Sequence, residues 1–295
     1  LDGMRYYMVE SLALYEEVRR RIQGHPGISL LGCSVDELSS SMDGIRLSSQ
    51  QGEFLVDRVF DSRPAYSKER IGTKVLQSFE GWRVKFEKDV FDSETMRLMD
   101  FSIPQNESTQ FMYVLPTSKR EALVEMTRFD REVLPGDLAE AHLRNYMMRY
   151  AGKYEITHKE QGVIPMSQLV AAHDDDTRIV STGGRAGKIK ATKGYAFKEM
   201  YGHAIELADL ERNAATIAPR FLLPKKRWSR FRLYDFLLLF ILKFRPHWGK
   251  SIFERLFSTQ RTAQVLRFLE ERSNLWWELQ MFVKLPVMKF LWSVA

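Results

Sequence analysis

The chain has 295 residues, of which 44% are hydrophobic and 28% charged, a composition typical of a folded globular protein with a substantial core. Its single cysteine, Cys33, excludes an internal disulfide or a thiolate metal cluster and fits a reducing, cytoplasmic compartment. The six histidines never lie three to five residues apart, so no helical zinc pair and no metal site are expected.

Positive charge and tryptophan are concentrated in the C-terminal part. The net charge is +6, yet residues 219–295 carry 15 Lys and Arg against 5 Asp and Glu, together with five of the six tryptophans. Such a mixture suits an anionic membrane surface or a nucleic acid. We expect no nucleic acid, because no docking motif is present. The longest apolar run, Phe236–Leu242, is too short for the roughly 20 residues that cross a bilayer, so membrane contact would be peripheral.

The N-terminal part is expected to be helical and then extended. Apolar residues at near-helical spacing predict an amphipathic helix over Met4–Ile22. Short β-branched or aromatic runs predict strands at Ile28–Leu31 and Phe54–Phe60. The second strand ends in Asp61-Ser62-Arg63-Pro64, where proline stops it. A strand that ends in a polar turn is a common ligand position in an open α/β sheet.

An antiparallel sheet is expected between Lys74 and Phe129, because the links between its extended segments are too short for crossover helices. The segments are Val75–Phe79, Arg83–Glu87, Met96–Ile103, Phe111–Leu115 and Ala122–Phe129. The pattern then predicts a helix over Pro135–Arg149 and strands at Tyr154–Ile164 and Arg178–Ser181.

A glycine-rich turn, Thr182-Gly183-Gly184-Arg185-Ala186-Gly187, joins the last predicted strand to a long helix from about Tyr195 to Ile217. This arrangement aims backbone N–H groups at an anion, so a phosphate or a flavin would fit, although a flexible turn explains the same residues. It is not a Walker A loop, because Thr182 stands where that motif has glycine. The remainder is predicted to be helical, with breaks at Pro246, Ser258, Ser273 and Pro286.

Two acidic residues lie within predicted strands. Strand alternation places Glu125 on one face with Leu123 and Thr127. If that face is a dry cavity, burial raises the pKa of Glu125 and makes it a proton donor near neutral pH; if the face meets solvent, Glu125 is an ordinary surface carboxylate. Asp100 is a similar candidate, and its alternative role is a charge at a sheet edge. Asp174-Asp175-Asp176 is expected only to cap an exposed turn.

Several short motifs, in order, resemble the lycopene cyclase family of flavoproteins over nearly the whole chain. The motifs of the substrate domain are Phe79-Glu80-Gly81-Trp82, Val90-Phe91-Asp92 and Leu98-Met99-Asp100-Phe101. Phe111–Pro116 followed by Leu123-Val124-Glu125-Met126-Thr127 is similar to the segment Phe-Leu-Glu-Glu-Thr of plant-type members. Thr182-Gly183-Gly184 with Thr192–Phe197 resembles a C-terminal flavin motif.

The resemblance implies an α/β fold in which an antiparallel β-sheet substrate domain is inserted into a glutathione-reductase-like FAD-binding domain. The expected FAD-binding parts are residues 1–73 and 166–218, the substrate domain is 74–165, and residues 219–295 form a helical, basic and aromatic region that docks on a membrane. The family's Gly-x-Gly-x-x-Gly is absent from the chain, so a first βαβ unit of roughly 80 to 100 residues is expected upstream.

The family's reaction is the acid-catalysed, non-redox ring closure of linear lycopene to β-carotene, with reduced FAD present and NAD(P)H as electron source. Carried over residue by residue, the resemblance makes Glu125 the acid–base residue. Substrate contacts are assigned to Asp100, Thr127 and Trp82, and cofactor contacts to Asp61, Arg63, Gly183, Gly184, Thr192, Gly194 and Tyr195. The expected partners are lycopene, or a related linear carotenoid, and an anionic membrane surface. A flavin-dependent isoprenoid reductase and a non-catalytic isoprenoid-binding protein are the alternatives.

Overall fold

The N-terminal part combines one helix with short strands. The computed structural model describes residues 7–63, 75–166, 175–192, 196–212 and 230–285. The first elements are α1 (Ser11–Gln23), β1 (Val35–Ser41), β2 (Gly44–Ser49), β3 (Gly52–Val56) and β4 (Val59–Asp61). Strands β1, β2 and β3 form an antiparallel meander, whereas β4 belongs to a different sheet.

Two strand predictions for this part are wrong, and the helix prediction is confirmed in part. Residues 28–31 form no strand and are exposed, since no neighbouring strand among the described residues supplies hydrogen-bond partners. The run 54–60 is divided between β3 and β4, because the chain leaves the β2–β3 ladder after Val56. The predicted first helix is confirmed from Ser11 onward, and Glu10 just before it has an extended backbone, with ψ of 123°.

The predicted antiparallel sheet is confirmed and has five strands. They are β5 (Val75–Phe86), β6 (Arg97–Asp100), β7 (Thr109–Pro116), β8 (Glu121–Asp130) and β9 (Tyr154–Met166), paired in the order β6-β7-β8-β5-β9. The predicted segments Val75–Phe79 and Arg83–Glu87 are one strand, because β8 and β9 pair with β5 continuously across Gly81.

Helix α2 (Gly136–Met147) covers one face of this sheet. Leu143 and Tyr146 of α2 pack there against Trp82, Met112 and Met126, which alternate along their strands with residues of the other face. The helix predicted over Pro135–Arg149 is therefore confirmed, and it fixes which face of the sheet is filled by the core.

A short parallel pair of strands lies outside the large sheet. Strand β10 (Ile179–Ser181) pairs with β4, so that Ser181 lies beside Asp61 at the carboxyl ends of both strands. The chain then reaches α3 (Phe197–Arg212), whose Leu207 packs against Val180. Parallel strands, antiparallel strands and helices together make the mixed α/β class that the sequence predicts.

Four α-helices and one 3-10 turn form the described C-terminal part. The helices are α4 (Arg230–Phe244), α5 (Gly249–Thr259), α6 (Thr262–Leu269) and α7 (Leu275–Lys284), and the 3-10 turn is Pro246–Trp248. The predicted breaks near Pro246, Ser258 and Ser273 are confirmed, and Pro286 lies outside the described residues. Leu242 of α4 and Phe253 of α5 pack against Phe111 and Phe129, on the sheet face opposite α2. Within the described ranges, every helix is too short or too polar to cross a membrane.

Candidate active site

The candidate active site centres on a carboxyl group on the sheet face opposite α2. The antiparallel register places Glu160 of β9, Gly81 of β5, Glu125 of β8 and Tyr113 of β7 in one row across four strands. Residues in register on neighbouring strands point to the same face. Thr127, two residues further along β8, donates its hydroxyl hydrogen to Glu125 Oε1 at 2.7 Å. This bond fixes the orientation of the carboxyl group.

Aromatic side chains surround the row. Phe79 of β5 and Phe111 of β7 are the direct neighbours of Thr127 in the next row. The rings of Phe111 and Tyr113 meet edge to face, with centroids 5.0 Å apart. The Glu125 carboxyl therefore lies beside aromatic side chains, and the Thr127 hydroxyl donates a hydrogen bond to it.

This environment changes the acidity of Glu125. Although part of the residue is exposed, burial raises the pKa of its carboxyl from 4.5 to about 7; the hydrogen bond from Thr127 opposes the rise, and the negative charge of Glu160 adds to it. A carboxyl group with this pKa is largely protonated just below neutral pH and can act as a general acid. Glu125 is thus partly exposed, while burial of its carboxyl makes it a weaker acid, and its role as the acid stays a prediction.

Asp100 lies on the opposite face of the sheet from Glu125. It pairs with Met112 of the core face, and Tyr146 of α2 donates its hydroxyl hydrogen to Asp100 Oδ2 at 2.7 Å. Burial alone would raise the pKa of Asp100, but hydrogen bonds from Ser102 and Tyr146 outweigh it, and the pKa lies below its usual value. Asp100 is therefore an ionised carboxylate that joins β6 to α2, and the structure does not bring it to Glu125.

Trp82 also lies on the α2 face. Its side chain is fully buried, and its indole N–H donates to Glu80 Oε1 at 3.1 Å. Of the three residues predicted to contact substrate, only Thr127 shares a face with Glu125. The structure thus separates Asp100 and Trp82 from the candidate acid.

The second group of candidate residues lies at the ends of the parallel strands β4 and β10. Asp61 is 4% exposed, and Arg63 donates to its carboxylate from the backbone N–H and from the guanidinium, each at 3.0 Å. Arg185 Nε lies 3.3 Å from Asp61 Oδ2. Burial by itself would raise the pKa of Asp61, but both arginines outweigh it and hold the pKa below the usual range.

The glycine-rich turn begins beside Asp61. The backbone N–H of Thr182 donates to the carbonyl oxygen of Asp61 at 2.8 Å, so the turn starts beside Asp61 and Arg63. Gly183 has φ of +56°, a conformation that L side chains rarely adopt. A Cβ at Gly184 would lie 3.2 Å from Ile189 Cδ1. The structure therefore brings four of the predicted cofactor residues together: Asp61, Arg63, Gly183 and Gly184.

A groove of about 440 Å³ opens beside Gly183. It is lined mainly by apolar side chains of β4 and α3, among them Phe60, Met200, Ala204, Leu207 and Ala208, with His203 at its wall. The turn and the groove together present backbone and apolar surface at the carboxyl ends of two parallel strands, the usual position of a ligand in an open α/β sheet.

The end of the turn reaches the face of the large sheet that carries Glu125. Ala191 packs in the same apolar cluster as Phe111 and Phe129. The next residue, Thr192, donates its hydroxyl hydrogen to Asp235 Oδ1 of α4 at 2.6 Å. The predicted cofactor residues Gly194 and Tyr195 lie outside the described residues. The segment 182–192 therefore connects the parallel strands to the neighbourhood of the candidate acid.

A family model described as lycopene cyclase protein matches residues 1–294. The chain belongs to the lycopene cyclase family. A lycopene beta-cyclase of Pseudescherichia vulneris is 26% identical to this lycopene cyclase family member over 266 residues, which are 87% of this chain and 60% of that protein. The chain thus spans about 60% of the length of this relative.

Two solved structures show partial similarity to this family member. A geranylgeranyl bacteriochlorophyll reductase-like protein from Thermoplasma acidophilum has a TM-score of 0.48 and 12% identity, with coverage of 71% of this chain and 57% of the other. A flavin-dependent brominase has a TM-score of 0.46 and 12% identity, with coverage of 90% and 70%.

Sequence reasoning missed four polar or aromatic residues of these sites. Glu160 and Tyr113 flank Glu125 across the sheet, Arg185 contacts Asp61, and Asp235 accepts from Thr192. Glu160 is a charged residue within an extended run, and that signal could have identified it. Its distance from Glu125, however, depends on the strand order. Among the described residues, no group of three His, Cys, Asp or Glu could hold a metal ion.

Proposed function

We propose that this protein catalyses the ring closure of lycopene, as an isomerase (intramolecular lyase) of the lycopene β-cyclase type that forms γ-carotene and β-carotene. The observation that carries the proposal is Glu125, an acid with a pKa of about 7 on a face lined by aromatic rings. Family membership supports the reaction class. A fully ionised carboxyl group could not protonate an alkene, whereas a substantial fraction of Glu125 is protonated near neutral pH.

The reaction needs one acid that later acts as a base. The Glu125 carboxyl donates its proton to a terminal alkene carbon, and the alkene electron pair forms the new C–H bond. A neighbouring double bond then attacks the tertiary carbocation and closes the six-membered ring. The Glu125 carboxylate accepts a proton from a ring carbon, whose C–H electrons form the ring double bond. The acid is restored and no electrons are gained or lost, so the product is an isomer of the substrate.

The aromatic rings and the hydroxyl group have separate tasks in this scheme. The faces of Phe79, Phe111 and Tyr113 carry the negative part of the ring quadrupole, which attracts a nearby carbocation. They also exclude water, which would otherwise capture the cation. Thr127 holds Glu125 Oε1 in one orientation, so that the carboxyl keeps its position while the substrate changes shape.

We assign FAD, in its reduced form, to the cluster at the ends of β4 and β10. The turn fits such a group because Gly183 and Gly184 leave room for close approach to the backbone, beside an apolar groove. Asp61, Arg63 and Thr192 would complete this side, with Gly194 and Tyr195 assigned from the family motif. Reduced FAD, supplied with electrons by NAD(P)H, contributes a negative charge that stabilises a carbocation when bound. The cluster would then belong to a glutathione-reductase-like FAD-binding domain.

The proposed location is the cytoplasmic surface of a membrane. Helix α7 carries four exposed apolar side chains within about 100° of arc: Leu275, Trp276, Leu279 and Val283, which are 51% to 79% exposed. Met281 on the other side of α7 is buried against Leu256 and Val265. A helix held by one face, with tryptophan on the other, can insert into the interface of an anionic bilayer. This position would give access to a substrate dissolved in the membrane.

A double substitution in α7 tests this location. We expect the variant with Trp276→Glu and Leu279→Glu to bind vesicles of phosphatidylglycerol and phosphatidylcholine roughly tenfold more weakly, because about 25 cal/mol is lost per Å² of apolar surface left in water. The control is Gln280→Glu, which adds charge at an exposed position outside the apolar stripe. Equal cosedimentation of the double variant and the native protein would refute docking through α7.

The proposed reaction is tested by pigment chromatography of bacteria that accumulate lycopene and express the complete coding sequence. Conversion to γ-carotene or β-carotene, without reductant consumed in proportion to product, is the expected result. Saturated products and stoichiometric use of NADPH would instead indicate a reductase. Unchanged lycopene, with soluble flavin-loaded protein in the same cells, would contradict the proposal.

A further inference from the structure

A second carboxyl group shares the row of Glu125. Glu160 lies two strands away on β9, where the spacing of strands puts the two Cα atoms about 10 Å apart. Between them is Gly81, which has no side chain. A Cβ at position 81 would lie 3.0 Å from Cγ and 3.3 Å from Oε1 of Glu160. The Glu160 side chain therefore bends over Gly81 in the direction of β8.

The next glycine of β9 keeps this arrangement in place. A Cβ at Gly162 would lie 2.5 Å from Cζ of Phe79, so the Phe79 ring rests directly on the Gly162 backbone. On the same face, the Phe79 ring thus crosses from β5 to β9 while the Glu160 side chain crosses from β9 to β5. Each glycine leaves space that neighbouring side chains occupy: Glu160 and Leu123 lie over Gly81, and Phe79 lies over Gly162.

The negative charge of Glu160 has no cationic partner in the part of the chain that the structure describes. Cations of this sheet face pair with other acids: Arg83 Nη1 lies 2.6 Å from Glu10 Oε1, and Lys85 Nζ lies 2.9 Å from Glu121 Oε1. The remaining titratable groups on this face are Glu155, opposite Lys85 on β9, His158, opposite Arg83 on β9, and Tyr113, beside Glu125 on β7.

The helices on this side of the sheet contribute mainly apolar groups, although Lys250 of α5 donates to the carbonyl oxygen of Phe101 at 3.0 Å. Leu238, Leu239 and Leu242 of α4 and Phe253 of α5 belong to the cluster on this face, whereas Asp235 of α4 is engaged by Lys190 and Thr192. The charge that acts most directly on Glu125 is therefore that of Glu160, and the low polarity around it weakens screening.

We propose that Glu160 is a positioning residue that holds the proton on Glu125, acting across the gap left by Gly81. The inference rests on the proposed role of Glu125 as the acid, and it adds a residue to that role. A like charge disfavours ionisation of its neighbour, so Glu160 keeps Glu125 protonated before the substrate arrives. After Glu125 has given up its proton, the same repulsion favours recapture of a proton from the ring, which completes the isomerisation.

The test is a pH titration of the Glu125 carboxyl in the complete protein. Its protonation is monitored by infrared difference spectra between the native protein and its Glu125→Gln variant. Glu160→Gln keeps the shape of residue 160 and removes its charge. We expect the Glu125 titration midpoint to move to lower pH by about half a unit or more, and the alkaline limb of the pH–rate profile to move with it. Glu160→Asp keeps the negative charge, so its Glu125 midpoint should lie close to the native value.

A matched control and a second variant exclude a merely structural effect. Glu155→Gln removes a charge from the same strand at its far end, opposite Lys85, and should leave the midpoint unchanged. Gly81→Ala keeps the charge of Glu160 but fills the gap, and should shift the midpoint in the same direction as Glu160→Gln. An unchanged midpoint in Glu160→Gln, or an equal shift in Glu155→Gln, would overturn the inference. The infrared midpoint needs no turnover, so a protein with the expected midpoints but no lycopene conversion would refute the proposed function alone.

Discussion

Glu125→Gln is expected to reduce the rate of lycopene cyclisation by roughly 10²-fold to 10⁴-fold, the range over which a positioned general acid contributes. The amide has the size of the carboxyl and can still accept the hydrogen bond from Thr127. It has no proton acidic enough to transfer to carbon. The rate is measured as initial conversion of lycopene by chromatography, at pH 6.5, where most of the native Glu125 is protonated.

The control for this loss is another glutamate of the same strand and face. Glu121 of β8 forms an ion pair with Lys85 at the end of the sheet, and its side chain is 45% exposed. Glu121→Gln should retain the native rate. If Glu125→Gln kept full activity, Glu125 could not be the acid, and another proton donor would have to reach the substrate on this face.

The sequence identified those site residues whose relation is local. Glu125 and Thr127 lie two positions apart on one strand, and a side-chain period of two places them on one face in any extended structure. The carboxyl–hydroxyl pair follows from that period alone. Apolar neighbours in the sequence also made burial of Glu125 a reasonable alternative, and in the structure the residue is partly buried.

Residues related across strands could not be found in this way. Glu160 is brought near Glu125 only because β5 lies between β8 and β9, an order that alternation along a single strand does not encode. Similarly, the parallel pairing of β4 with β10 brings Asp61 to Gly183, although they are distant in the sequence. Both motifs were visible as separate segments, and their juxtaposition is a property of the fold.

Asp100 illustrates a different limit. An acid within an apolar strand looks the same whether it faces a substrate or a helix. The β6–β7 ladder changes register between Arg97 and Asp100, and the pairing of Asp100 with Met112 turns it toward α2. A one-residue difference in register exchanges the two faces of a strand. The face of Asp100 therefore depends on an irregularity that the sequence pattern does not reveal.

The acid that we expect to drive the reaction should also lower stability at alkaline pH. Burial holds the pKa of Glu125 at about 7 in the folded protein, against 4.5 for an unperturbed glutamate, so its favourable contribution is complete below pH 4.5 and is lost as pH rises through 7. The full loss is up to roughly 3 kcal/mol, at 1.36 kcal/mol per pKa unit. Glu125→Gln does not titrate, so the variant does not undergo this loss of stability.

We therefore expect urea unfolding to show similar free energies for both proteins near pH 4.5 and a more stable variant at pH 9. Glu121→Gln, at an exposed position, should show no such gain, and a Glu125→Gln variant with no added stability at pH 9 would show that the folded protein accommodates the Glu125 charge without cost.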